Sequence, residues 1–152
     1  MAKGIIFDWT GTLYERGKGL FSFSEKVLQE LKAKGYVLGL VSLAGKGVNC
    51  DIERREKEIE NTGITHYFDS VVIDVVKGKE QFLKCFDEMG ISPENSIAID
   101  DRMSRGIKAG IELGCKTFWI QIGDRSFDSP TEETGEPDYK IDTIKELGEL
   151  LE

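Results

Sequence analysis

A chain of 152 residues, 32% charged and 39% hydrophobic, has the size and balance of one globular domain rather than of a disordered or fibrous protein. Its formal net charge of −8 excludes a broad basic face, and with it a nucleic-acid or anionic-membrane surface, but leaves room for a local cluster of phosphate-binding donors. The apolar run after Met1 is too short for a signal peptide and no stretch reaches transmembrane length, so a cytoplasmic protein is expected.

The first expected strand is Gly4–Asp8. A flap follows at Leu13–Phe21, with Trp9 beside it and Gly11, Gly17 and Gly19 as hinges able to cover a site. Ser22 and Glu25 form a capping-box pattern; Val27, Leu28 and Leu31 follow at helical spacing, and Gly35 suits the stop. Tyr36–Ser42 is apolar almost throughout, as a strand covered on both faces would be. Asp51–Glu60 carries charge on most faces and reads as a solvated helix laced with ion pairs. His66, the sole histidine, falls in a turn, so no histidine mechanism can be built.

Ser70–Val76 is the third strand, and Phe82, Leu83, Phe86 and Met89 mark a helical stripe closed by Gly90. Ser96–Asp100 is the fourth strand, followed by a helix from about Ser104 to Leu113. Lys116–Ile122 is the fifth, with Trp119 in the core. Gly123–Asp138 is long, irregular and rich in Gly, Pro, Ser, Asp and Glu. A short strand at Tyr139–Ile141 and a helix over Asp142–Leu150 close the pattern. Cys50, Cys85 and Cys115 are odd in number, lack Cys-x-x-Cys spacing and are expected as buried free thiols.

This alternation predicts an α/β domain over residues 1–152, a three-layer α/β/α sandwich around a parallel sheet of five or six strands. Ligands of such sheets bind beyond the carboxyl ends of the strands. The residues there are Asp8, Ser42, Lys77 and the pair Asp100-Asp101. Carboxylates from different strands repel unless a hard cation lies between them, and magnesium takes one or two carboxylates plus substrate phosphate. A lysine and a serine hydroxyl nearby suit the remaining phosphate oxygens. The combination points to phosphoryl chemistry.

Phe7-Asp8-Trp9-Thr10-Gly11-Thr12-Leu13 resembles the first motif of the haloacid dehalogenase-like superfamily, Asp-x-Asp-x-Thr after an apolar strand. Ser42 is similar to the second motif, a lysine heading the Lys77–Met89 segment to the third, and Ile97-Ala98-Ile99-Asp100-Asp101 to the fourth. The resemblance covers residues 4 to about 122 and implies that Asp8 becomes an aspartyl phosphate. It further implies magnesium held by Asp8, Asp100 and the backbone carbonyl of Thr10, with Asp101 contacting it through water. Ser42 and the lysine would neutralise the phosphoryl oxygens, Gly11 would let the backbone approach phosphate, and Thr12 would brace the loop. Lys77 and Lys79 both precede the helix; Lys77, nearer the strand end, is preferred.

One position departs from that pattern. Thr10 stands where most phosphatases of the superfamily carry the acid–base Asp, and a hydroxyl cannot serve that role near pH 7. Slow turnover follows, or alternatively a non-catalytic binding or regulatory module. Leu13–Tyr36 and Leu43–Ser70 are too short to hold a helical cap, so a capless core is expected, with dehalogenase activity disfavoured. An open site implies a phosphorylated small molecule or phosphoprotein as substrate, with a homo-oligomeric partner as one source of a lid. Arg102 and Arg105 read as partners of surface acids. A receiver domain is rejected because its acidic pair follows the first strand, and a P-loop because Lys46 precedes Gly47.

Overall fold

The runs that are apolar on both faces become the inner strands, because only a sheet between two helical layers hides both sets of side chains. The computed structural model describes residues 3–44, 52–121 and 128–151. Six strands form one sheet: β1 (Gly4–Phe7), β4 (Val37–Leu43), β5 (Ser70–Asp74), β6 (Ser96–Asp100), β7 (Lys116–Ile120) and β8 (Tyr139–Ile141). Their order is β5-β4-β1-β6-β7-β8, and every neighbouring pair is parallel.

The two-residue period of β1 sends Ile5 and Phe7 to one face and Ile6 to the other. On the first face they meet Val27, Leu28 and Leu31 of α1 (Ser24–Ala33), Ile59 of α2 (Ile52–Asn61), and Ile144 and Leu147 at α5 (Leu147–Leu150). On the second, Phe82, Phe86 and Met89 of α3 (Lys79–Met89) and Ala109 of α4 (Lys108–Leu113) cover Ile6, Val41 and Val72. This is the three-layer α/β/α sandwich that the alternation predicts.

Several boundaries differ from the sequence expectation. The capping box at Ser22 does not form: Phe23 is the N-cap and no side chain caps α1. Ser24 instead donates through Oγ to the Leu13 carbonyl at 2.7 Å, so the hydroxyl ties α1 to the loop after β1. The flap is an antiparallel ribbon of β2 (Tyr14–Glu15) and β3 (Gly19–Leu20). Trp9 is not a lid. It is fully buried, stacks on Tyr14 with ring centroids 4.9 Å apart, and donates from Nε1 to Glu58 at 2.8 Å.

β5 stops at Asp74, whose carboxylate accepts the Val75 N–H at 2.7 Å and turns the chain. The helix expected from Ser104 begins with a π-helical turn at Met103–Ile107 before α4. β7 ends at Ile120; Ile122 and the first part of the Gly123–Asp138 loop lie outside the described residues. Cys85 and Cys115 are buried free thiols, whereas Cys50 lies outside the described residues. Among the described residues no helix is long and apolar enough to cross a membrane.

Truncating Phe86, which is 2% exposed under α3, should cost about 3–5 kcal/mol, the range for emptying an aromatic core site. Leu83, 43% exposed on the same helix, should lose about 0.5 kcal/mol or less on truncation to alanine. Urea unfolding midpoints of the two variants check this, and equal losses would mean that α3 does not pack through that stripe.

Candidate active site

Register brings the acids together. Phe7 pairs with Ile99, and the Asp8 N–H donates to the Ile99 carbonyl at 3.0 Å. The next residues, Asp8 and Asp100, therefore leave adjacent strands side by side. β1 and β6 are also where the sheet changes direction, with β4 and β5 to one side and β7 and β8 to the other. Such a switch point opens a crevice between the loops that leave it.

Lys77 reaches in from the loop after β5. Its Nζ lies 2.8 Å from Asp8 Oδ1 and 2.7 Å from Asp100 Oδ2, with the side chain only 2% exposed. Asp100 also accepts the N–H groups of Arg102 and Gly106, each at 3.0 Å. Thr12 donates its hydroxyl to Asp8 Oδ2 at 3.3 Å. Two glycines make room for these carboxylates. A Cβ on Gly106 would collide with Asp100, and one on Gly11, which sits at φ +91°, would collide with Asp101.

Asp8, Asp100 and Asp101 each place a carboxylate oxygen within 4.8 Å of the others. One ammonium cannot neutralise three acids. Burial pushes Asp8 up, but the Lys77 charge and hydrogen bond outweigh it and hold Asp8 below the usual carboxylate range. Burial would likewise depress Lys77, yet Asp100 and Asp8 together keep it above its ordinary value. Burial and the Asp8 charge push Asp100 up. Asp101 bears the excess: burial, then Asp8, then Asp100 raise it to about 9. Three convergent oxygens with one acid forced to keep its proton suit a hard divalent cation, which would relieve that excess.

Of the residues singled out in the sequence, Asp8, Thr12, Lys77, Asp100 and Asp101 meet at this point. Thr10 and Gly11 line the same pocket, of about 440 Å³, beside Asp8 and Asp101. Lys79 is exposed at the first position of α3, whereas Lys77 makes the contacts. Ser42 is 1% exposed at the end of β4 and accepts a hydrogen bond from Arg55 Nη1 at 2.6 Å.

Sequence reasoning alone leaves Arg55 in a solvated helix and so misses it. Arg55 also donates to the Leu43 carbonyl at 3.1 Å and pairs with Glu58 at 3.3 Å. The available signal was Ile59, four residues on and 1% exposed, which marks the inward face of α2. Asp128 was missed as well. It is buried and accepts from Arg102 Nε at 2.9 Å, from Met103 N at 2.8 Å and from both Ser104 donors, capping the π-helical turn. Arg102 does pair with an acid, but a buried one.

Comparison with known proteins agrees on the family. The family model described as haloacid dehalogenase-like hydrolase matches residues 19–120. Glyceraldehyde 3-phosphate phosphatase of Methanocaldococcus jannaschii is 31% identical over 83% of this chain and 54% of its own. The enzyme of the same name from Methanopyrus kandleri is 28% identical over 82% and 53%. N-acylneuraminate-9-phosphatase of Mus musculus is 28% identical over 68% and 43%. The chain thus spans about half the length of these relatives. Among solved structures, an HAD phosphatase from Thermococcus onnurineus superposes with a TM-score of 0.68 at 24% identity, covering 88% of this chain and 58% of its own. An uncharacterized protein from Listeria monocytogenes serotype 4b reaches 0.75 at 17% identity, covering 98% and 96%.

Replacing Lys77 with methionine leaves the buried acids without their cation and should cost about 3–5 kcal/mol at pH 7. Because the lysine lowers Asp8, its stabilisation is complete above the ordinary carboxylate value of 3.8 and is lost as pH falls below it. Urea unfolding of wild type and Lys77→Met without metal should therefore show a gap that narrows from pH 7 to pH 3. A gap independent of pH would exclude this origin.

Proposed function

The chain belongs to the haloacid dehalogenase-like hydrolase family, and we propose that it is a magnesium-dependent phosphatase or phosphotransferase acting through an aspartyl phosphate on Asp8. The observation that carries this reading is a carboxylate at a strand end, kept ionised by a buried lysine and flanked by two further acids that a cation would neutralise. The relatives named above are phosphatases of small phosphorylated molecules, which supports the same class of substrate.

In this reading one Asp8 oxygen attacks phosphorus in line with the ester oxygen. The new carboxyl–phosphorus bond forms as the ester P–O bond breaks, and the electron pair leaves on the alcohol oxygen, which takes a proton from water. Lys77 keeps Asp8 deprotonated and aimed. Ser42 can donate its hydroxyl hydrogen to a phosphoryl oxygen because Arg55 already occupies its oxygen as a donor, and Arg55 brings a second positive charge to the same side. Asp8, Asp100 and the Thr10 carbonyl would hold magnesium, with Asp101 contacting it through water; the bound ion supplies charge neutralisation for the phosphoryl oxygens. Water then attacks phosphorus as the carboxyl O–P bond breaks, which releases inorganic phosphate, returns the Asp8 carboxylate and gives the water's proton to solvent.

Between β1 and β4 the chain carries the β2–β3 ribbon and α1, and the described residues between β4 and β5 carry α2 and a short turn at Thr65–Tyr67. This favours a core without a cap, open to solvent. Thr10 makes the second half-reaction the slow one, because a hydroxyl stands where a carboxylate would act as base on water. The same residue favours a second reading, a module that binds phosphate esters without turning them over.

Asp8→Asn should abolish magnesium-dependent hydrolysis of an aryl phosphate, and a chelator should do the same to the wild type. Persisting hydrolysis in the variant would remove Asp8 as the nucleophile. Thr10→Asp should accelerate breakdown of the phosphoenzyme by about 10²- to 10⁴-fold, the usual worth of general acid–base catalysis. Single-turnover decay of the labelled enzyme measures it; an unchanged rate would mean that Thr10 is not the limiting residue.

A further inference from the structure

We infer that the pocket selects small phosphate monoesters bearing a second anionic group, a carboxylate or a further phosphoryl group, through a rim of arginines. The inference rests on the phosphoryl-transfer reading for the position of the first anion. It goes beyond that reading in assigning what the rest of the substrate must carry.

The chain has six arginines against a net charge of −8, and four of them, Arg16, Arg55, Arg102 and Arg105, line the pocket whose wall includes Asp8 and Asp101. They arrive from separate elements. Arg16 lies in the ribbon turn between β2 and β3, Arg55 on α2, and Arg102 and Arg105 at and within the π-helical turn after β6. Convergence of like charges is costly unless something negative sits among them.

Carboxylates built into the protein account for half of this charge. Glu58 pairs with Arg55 and Asp128 with Arg102. Among the described residues no carboxylate lies within ion-pair distance of Arg16 or Arg105. Glu15 is the remaining acid on the wall, and it is exposed and turned to Lys18 at 3.9 Å. Among the described residues, then, two guanidinium groups on the wall of one pocket have no acid partner and can take an anion from outside.

That anion is not the phosphoryl group being transferred, which in the phosphoryl-transfer reading would have Lys77, Ser42 and the metal ligands as its partners. Planar guanidinium forks bind carboxylate or phosphate oxygens in pairs, and so they read a second oxyanion on the same molecule. The pocket volume of about 440 Å³ lies in the range of small-molecule sites.

The test compares kcat/KM within matched pairs. 3-Phosphoglycerate against glycerol 3-phosphate isolates a carboxylate on one carbon skeleton; fructose 1,6-bisphosphate against fructose 6-phosphate isolates a second phosphoryl group. At least one acidic member should be preferred by about tenfold or more, the worth of one charge-assisted contact, and the arm that responds identifies the oxyanion. Arg16→Ala and Arg16→Ala/Arg105→Ala should lower that ratio stepwise. Arg16 is exposed, so the single variant tests the rim without risk to the fold. Lys116→Glu, at the opposite end of β7, changes the net charge as much as the double variant does and should leave the ratio alone.

Ratios near one in the wild type, or an equal fall in Lys116→Glu, would overturn the inference while leaving the phosphatase reading intact. If no member of either pair is turned over, that reading fails instead. The rim is then judged by calorimetric binding of the same four esters to Asp8→Asn, where the same preference supports it and equal affinities overturn it.

Discussion

A single buried ammonium holds the site together. Lys77 lies between Asp8 and Asp100 at hydrogen-bond distance from both, and its side chain is almost closed to water. A buried charge is tolerated only with its partners in place, so neither acid can turn away without stranding the lysine. Three elements are fixed by this contact: the loop after β1, the end of β6 and the entry to α3. The packing of α3 on the sheet through Phe82, Phe86 and Met89 keeps the lysine from withdrawing.

The pair is incomplete as a charge balance, and this explains the rest of the local chemistry. Two carboxylates already exceed the one cation, so burial and the charges of Asp8 and Asp100 push a third acid, Asp101, up to about 9. Backbone supplies what side chains cannot, as the N–H groups of Arg102 and Gly106 stabilise Asp100 without bringing further charge. Both glycines against the acids serve closeness of approach. Only at Gly11 is a positive φ also required.

The fold was legible because its signal is periodic. Ile5-Ile6-Phe7 and Ile97-Ala98-Ile99 read as strands buried on two faces, and the register between them then places Asp8 beside Asp100. The candidate acids were visible for the same reason, since strand ends are where such sheets present side chains. Contacts that depend on distant parts of the chain were not visible. Ser22 looked like a cap, but Ser24 is the serine whose hydroxyl binds another segment. Trp9 looked like a lid, but its stacking on Tyr14 and its bond to Glu58 place it in the core. Arg55 sits in a run of charges whose inward face is marked by little more than Ile59, and Asp128 lies in a loop whose composition carries no period at all.

Those two missed residues show how an acidic chain can build a cationic mouth. Glu58 holds Arg55 while accepting from Trp9, so α2 is joined to the loop that carries the nucleophile. Asp128 holds Arg102 while capping the turn that follows Asp100 and Asp101, so the late loop is joined to the acid pair. Glu58 thus orients a guanidinium and an indole at once, and Asp128 a guanidinium and the backbone of a turn. The acids that make the chain negative overall therefore act locally as braces. Each brace uses part of an arginine's five-donor fork while the residue stays on the pocket wall. Net charge is then a poor guide to this site, because the sign that matters at its mouth is set by which acids are pointed away from it.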